Sequence, residues 1–204
     1  MNIVRVDSYK DSRFSRTVLN QHGAYLVNDS PYEIEIKDPA TAIVRGKDPT
    51  AFTELIENFR FHAPQIIHFF DSEGKEIADY PAPEILSIRL DDIQPSQFYI
   101  DRDKLDAVGS FVHTEKDIII QVIPWEDRYI SLDGHTRLYF AVQKDFQSVR
   151  AVMSETDEWV WKFVNEAQRR KIYSPGDMIL LSHEEYDQKW NKYCDSVFEE
   201  QTVQ

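Results

Sequence analysis

Apolar and polar positions alternate along the first eighty residues in a way that predicts a small α/β segment. Five short runs have the length and alternation of β-strands. These runs are residues 24–27, 32–36, 41–44, 65–70 and 76–80. Between them, Asp48 and Pro49 supply a cap and a favoured first helical position. The apolar residues that follow them have the spacing of one helix face, which predicts a helix. They are Phe52, Leu55, Ile56 and Phe59.

A proline pair at Pro81 and Pro83 breaks this pattern and predicts a boundary. Beyond it, strand-like and helix-like runs alternate again. Predicted strands cover residues 85–90, 117–123, 128–132 and 147–153, predicted helices cover 101–112 and 138–143, and a turn is predicted at 91–96. From residue 156 the spacing is helical, with Ser182 and Glu185 as a capping box, and this tail is predicted to pack across the sheet.

The pattern therefore predicts an α/β (α+β) fold with a mixed sheet and helices. We expect three parts. They are a small α/β segment at residues 1–80, a domain at residues 84–155 and a helical tail at residues 156–204.

The hydrophobic content and the net charge of the chain limit the functions that it is expected to have. The 204 residues are 42% hydrophobic, which is typical of a folded globular chain. Lys and Arg number 23 and Asp and Glu number 36, which gives a net charge of -13. Because such a charge repels phosphate backbones and anionic lipid surfaces, binding to DNA or to a membrane is disfavoured.

The single cysteine, Cys194, leaves no partner for a disulfide within the chain, which is typical of a reducing compartment. The first residues lack the apolar core of a secretory leader. No apolar run approaches the roughly twenty residues that cross a bilayer. These features favour a soluble cytoplasmic protein.

One stretch carries the candidate chemistry. A predicted strand runs into a glycine turn that opens a predicted helix, and the turn reads Asp133-Gly134-His135-Thr136-Arg137. Such a turn points free N–H groups and the positive end of a helix dipole outward, which suits a phosphate. Gly134 permits close approach of the backbone and Arg137 offers a cationic fork. Thr136 offers a hydroxyl, and His135 is expected to donate or to titrate near neutrality.

Asp133 is the unusual member of this loop, because a carboxylate repels a phosphate. It suggests a bridging Mg²⁺, a substrate hydroxyl that needs activation, or a cap for the helix. The structural alternative is that Asp133 and Thr136 only cap the helix while His135 and Arg137 lie on the surface. The spacing alone does not choose between them.

The chain resembles the ParB/sulfiredoxin-like domain over roughly residues 85–153. The resemblance rests on this loop, on the upstream stretch Pro95-Ser96-Gln97-Phe98-Tyr99-Ile100 and on the predicted helix around Lys104. The resemblance implies that the loop binds nucleotide phosphates. It is most similar to the loop of free-serine kinases. Asp133, Gly134, His135 and Arg137 match that loop, and Thr136 replaces its second histidine.

Departures from the family narrow what the resemblance implies. The loop has no cysteine, so sulfiredoxin chemistry is not supported, and the acidic tail shows no DNA-reading helix of the kind that partition proteins carry. Gln97 stands near the position of the kinases' catalytic glutamate, and Asp101 and Asp103 are the nearest acids.

Three hypotheses follow. In the first, a phosphotransferase uses ATP or another nucleotide and Mg²⁺, with Asp133 as metal ligand and Asp133 or Asp101 acting on an acceptor hydroxyl. In the second, the loop senses a nucleotide or another anion without chemistry, while other parts dock a protein partner or a second copy. The third, DNA partition or nuclease activity, rests on the resemblance alone.

Overall fold

The computed structural model describes the backbone of residues 1–202 and the side chains of residues 1–197. The chain divides into two compact units, Met1–Glu84 and the remainder from Ile85. The division falls just after the prolines at positions 81 and 83. Within the described residues, no helix has both the length and the apolar character that a bilayer crossing requires.

The first unit is built on a six-stranded sheet. Its strands are β1 (Ile3–Arg5), β2 (Ala24–Val27), β3 (Ser30–Ile36), β4 (Thr41–Arg45), β5 (His68–Phe70) and β6 (Glu76–Asp79). They lie in sequence order, and neighbouring strands are antiparallel except for the parallel pair β4 and β5. A parallel pair needs a crossover, and here a helix supplies it.

Two helices complete this unit, α1 (Arg16–Asn20) and α2 (Phe52–Arg60). A single 3₁₀ turn precedes α2, and the Asp48 carboxylate caps it by accepting from Thr50 N–H at 3.0 Å. The apolar face predicted for α2 is buried against the sheet, with Leu55 and Ile56 fully enclosed. The predicted cap and helix face are thus confirmed.

The second unit is built on a mixed five-stranded sheet. Its strands are β7 (Ile85–Arg89), β8 (Ile93–Pro95), β10 (Ile119–Trp125), β11 (Arg128–Asp133) and β12 (Ser148–Met153), and a separate parallel pair joins β9 (Tyr99–Asp101) to β13 (Ile179–Leu181). The five strands lie in the order β7, β12, β10, β11, β8, with β10/β12 and β8/β11 parallel. The predicted α+β class with a mixed sheet is confirmed.

Helices cover this sheet. They are α3 (Arg102–Val108), α4 (His135–Gln143), α5 (Trp159–Arg169), α6 (His183–Tyr186) and α7 (Lys192–Thr202), with a π-helical turn at Asp187–Asn191. Apolar residues of α3 and α4, such as Val108 and Leu138, form one core with β10 and β12. Val160 and Val164 of α5 enclose Ile130 of β11 in a second cluster.

Three predicted elements differ from the structure. The turn predicted at 91–96 contains β8, and the tail predicted as helical contains β13. Both strands have three residues, too few for their alternation to stand out in the sequence. The helix predicted over 101–112 ends at Val108, because Gly109 takes the C-cap position and a single tight turn carries the chain on to Val112.

Candidate functional site

The 133–137 loop joins the end of β11 to the start of α4 through one glycine. Gly134 has φ of +83°, a left-handed conformation that L side chains rarely adopt. A Cβ there would lie 2.6 Å from Ile120 Cγ2, so both the backbone and the packing require glycine. The first helical bond runs from Leu138 N–H to Gly134 O at 2.9 Å. The N–H groups of the first turn, residues 135–137, have no carbonyl partner within the helix.

Arg137 lies back across this glycine. Its Nη2 is 3.2 Å from Asp133 Oδ2, one helical turn away. A Cβ on Gly134 would approach Arg137 Nη2 to 3.1 Å and Nε to 3.2 Å, so the guanidinium packs directly over the turn. The Arg137 side chain is 21% exposed and that of Asp133 is 41% exposed. Solvent, or a ligand, therefore reaches the pair.

His135 points inward and supports the loop from below. Its Nε2 lies 3.1 Å from Ser96 Oγ, and the Ser96 hydroxyl donates to Ser131 O at 2.7 Å. The Ser96 hydroxyl has one hydrogen, and it is used in the bond to Ser131 O. We therefore assign a hydrogen to His135 Nε2, which donates it to Ser96 Oγ. The contact ties the residue after β8 to the first residue of α4.

Burial lowers the pKa of His135 to about 4, against the opposing attraction of the Asp133 carboxylate. The ring is therefore neutral at physiological pH. The expectation that His135 titrates near neutrality is wrong, because the side chain is buried rather than at the surface. Its part in the loop is structural support, together with the backbone N–H that it presents.

Asp101, the second predicted acid, lies elsewhere in the unit. It ends β9 and is fully buried, where its Oδ1 accepts from Asp103 N–H at 2.9 Å and so caps α3. Its Oδ2 lies 2.7 Å from His183 Nδ1. The structure thus brings Asp133, the glycine and Arg137 together at one turn, whereas Asp101 is paired with a histidine of the tail.

His183 is the residue that sequence reasoning missed. The capping box of Ser182 and Glu185 is present and begins α6 as predicted, with Ser182 Oγ accepting from Glu185 N–H at 3.2 Å. The neighbouring residues indicate only that His183 is the first residue of this helix. Nothing local could reveal its partner, because Asp101 is 82 positions earlier in the chain.

Gln97 uses its amide within the fold. Its Nε2 donates to Tyr99 O and lies 3.3 Å from the Tyr186 hydroxyl. An amide in this place supplies hydrogen bonds but takes no proton. Within the described residues, no group of three or more His, Cys, Asp or Glu side chains is arranged to hold a metal ion.

Part of this chain is similar in structure to solved proteins, at low sequence identity. No family model and no curated protein matches the chain. A crystal structure of protein Atu1540 from Agrobacterium tumefaciens is 14% identical over 48% of this chain and 62% of its own length, with a TM-score of 0.34. Sulfiredoxin from Arabidopsis thaliana is 15% identical over 41% of this chain and 98% of its own, with a TM-score of 0.30.

A conserved hypothetical protein from Pyrococcus furiosus is 22% identical over 37% of this chain and 34% of its own, with a TM-score of 0.27. A sulfiredoxin is therefore among the solved structures that part of this chain is similar to. The chain spans less than two thirds of the length of the Agrobacterium protein. The kinase-type interpretation of the loop stays a prediction.

Proposed function

We propose that the 133–137 loop binds the phosphate groups of a nucleotide, and that the protein transfers a phosphoryl group to the hydroxyl of a small molecule. The observation that carries the binding step is the left-handed Gly134 at the start of a nine-residue helix, with the Arg137 guanidinium packed across it. Free N–H groups, a helix dipole and a planar cation then converge on one turn.

The ion pair with Asp133 is compatible with a ligand. A guanidinium has five N–H donors, and Asp133 accepts from one of them, on Nη2. Since the pair is partly exposed, a phosphate can take the remaining donors without breaking a buried contact. Asp133 in turn suits Mg²⁺, which proteins usually hold through one or two carboxylates and the substrate phosphates. Such an ion would supply charge neutralisation at the phosphates.

Charge selects a small ligand over a polymer. The chain carries a net charge of -13, so a nucleic acid would place many phosphates against an acidic surface. A single nucleotide presents its phosphates to the loop alone. The proposal therefore disfavours the DNA-partition alternative.

A second function, binding without transfer, is favoured by one observation. Gln97 stands near the position of the glutamate in the similar kinases, and its amide is committed to Tyr99 O and neighbours the Tyr186 hydroxyl. Under this alternative the loop senses a nucleotide or another anion. The two functions share the loop and differ only in turnover.

Calorimetric titration with ATP, CTP, GTP and inorganic phosphate, with and without Mg²⁺, tests the binding step. Arg137→Ala is expected to weaken nucleotide binding at least tenfold, because it removes the cationic fork. Arg89→Ala is the control, because Arg89 forms an exposed pair with Asp91 in the same unit. Equal affinities of wild type and Arg137→Ala would remove the loop from the function.

Labelled ATP with a panel of hydroxyl compounds, serine included, tests the transfer step. Asp133→Ala is expected to abolish the labelled product. Nucleotide binding with no labelled product in the wild type would select the sensing function.

A further inference from the structure

The ion pair between Asp101 and His183 lies outside the loop and has an unusual distribution of exposure. The Asp101 side chain is fully buried, whereas the His183 side chain is 58% exposed. The two meet at 2.7 Å between Oδ2 and Nδ1. Both oxygens of the carboxylate are anchored, since Oδ1 accepts the Asp103 N–H. The buried carboxylate is thereby satisfied, and the contact described for the imidazole is at Nδ1.

This arrangement fixes how the histidine carries its protons. A carboxylate accepts but does not donate, so Nδ1 carries the hydrogen and Nε2 of the neutral ring presents its lone pair. The hydrogen bond to Asp101 raises the pKa of His183 and outweighs the opposing desolvation, and the charges of Asp101, Asp103 and Asp187 add to the increase. The result is a largely exposed imidazole that is more basic than an ordinary one.

A tie between the start of α6 and the start of α3 is the structural interpretation of this pair. Asp101 also caps α3, so a structural role accounts for the carboxylate, but it does not require the ring that the carboxylate holds to face water. Burying an anion is costly, and an asparagine would tie the two helices at lower cost. The geometry matches a carboxylate that orients an imidazole for proton transfer.

We infer that His183 is the general base of the reaction and that Asp101 is its positioning residue, an inference that rests on the phosphotransfer proposed above. His183 Nε2 takes the proton of the acceptor hydroxyl while the hydroxyl oxygen forms a bond to the terminal phosphorus of the nucleotide. The bond from that phosphorus to the bridging oxygen breaks, and the nucleoside diphosphate leaves with the electron pair. The proton then passes from Nε2 to solvent.

The surroundings of the pair indicate the class of acceptor. Asp103 and Asp187 both act on the charge of His183, so an anionic acceptor is repelled there. The acceptor is therefore a neutral or positively charged hydroxyl compound.

Chain length limits how far Asp101 lies from Ser96. Asp101 follows Ser96 by five residues, which span at most about 17 Å even when fully extended. Ser96 is the residue that contacts His135. In addition, α4 packs against both β9 and α3.

Nitrogen-detected NMR of the histidine rings tests the assignment of the proton. In the wild type, His183 should show the Nδ1–H form above its pKa. In Asp101→Asn its pKa should fall towards the ordinary 6.5. A wild-type ring protonated on Nε2 in its neutral form would overturn the inference.

Transfer from labelled ATP tests the role of the base. His183→Gln is expected to lower the rate about 100-fold, the low end for loss of a general base, with the nucleotide affinity unchanged. The wild-type rate should rise with pH through the pKa that NMR measures. His113→Gln, at an exposed histidine, should keep the wild-type rate.

Because His183 is exposed, His183→Gln is expected to fold even where Asp101→Asn does not. A wild-type rate in His183→Gln would overturn the inference. Nucleotide binding by the wild type without transfer to neutral or cationic acceptors would overturn it as well. Unchanged binding in Arg137→Ala would instead refute the loop site, so the two failures are distinct.

Discussion

Ser96 Oγ lies 3.1 Å from His135 Nε2, and through this contact the edge of the five-stranded sheet holds the first residue of α4. The same hydroxyl donates to Ser131 O at 2.7 Å, so one small side chain joins β8, β11 and the helix. All three groups are buried. The orientation of the 133–137 loop therefore depends on these buried polar contacts as well as on the exposed residues of the loop.

Ser96→Ala is expected to destabilise the protein by about 1–3 kcal/mol, since His135 Nε2–H and Ser131 O would remain buried without this partner. Denaturant unfolding measures the change. Ser87→Ala, at an exposed position on β7, is the control and should be nearly neutral. Equal stability of the two variants would show that the contact is not formed.

Gly134→Ala is expected to lose stability and nucleotide affinity together. The left-handed φ costs about 1–2 kcal/mol for alanine, and the 2.6 Å approach to Ile120 Cγ2 adds an overpacking cost of about 1–3 kcal/mol. Thermal unfolding and calorimetry measure both effects. Gly176→Ala, where a Cβ meets nothing closer than 3.7 Å, should change neither.

Acid should destabilise the protein partly through His135. Its pKa falls from 6.5 in the unfolded chain to about 4 in the folded one, so the unfolded state binds the proton first. The contribution is complete above pH 6.5 and is lost between pH 6.5 and 4, to the extent of about 3 kcal/mol. Unfolding free energies measured across this range should be flatter for His135→Gln. A wild-type slope in that variant would contradict the buried neutral ring.

His183 should act in the opposite direction. Its folded pKa is raised by the hydrogen bond to Asp101, so its stabilising contribution is complete below pH 6.5 and is lost as the pH rises through the folded pKa. Because the ring is largely exposed, the effect is small. Comparison of wild type with His183→Gln between pH 5 and pH 9 isolates it, and a difference that grows with pH would contradict the pairing.

Arg137→Lys is expected to lower the affinity for ATP about tenfold, because lysine keeps the charge but not the planar fork. Arg89→Lys, at an exposed arginine of β7, should leave the affinity unchanged. Calorimetry at one fixed salt concentration measures both. Full affinity in Arg137→Lys would indicate that only the charge matters.

Much of the secondary structure of this protein could be predicted from its pattern of residues. The cap at Asp48, the apolar face of α2 and the capping box at Ser182 were predicted because each depends on residues within one or two turns of one another. The strand, glycine and helix around Gly134 were predicted for the same reason. Short strands such as β13 were missed, because their partners lie far along the chain.

The sequence by itself determined the local elements, the acidic charge and the position of the one phosphate-binding candidate, since helix periodicity, capping and turn conformation act between near neighbours. Only the tertiary structure decided which polar side chains are buried and what they meet. It turned His135 inward on Ser96 and paired Asp101 with His183, 82 positions away. These pairings follow from the way distant strands and helices pack. Burial lowers the pKa of His135, whereas the hydrogen bond to Asp101 raises the pKa of His183.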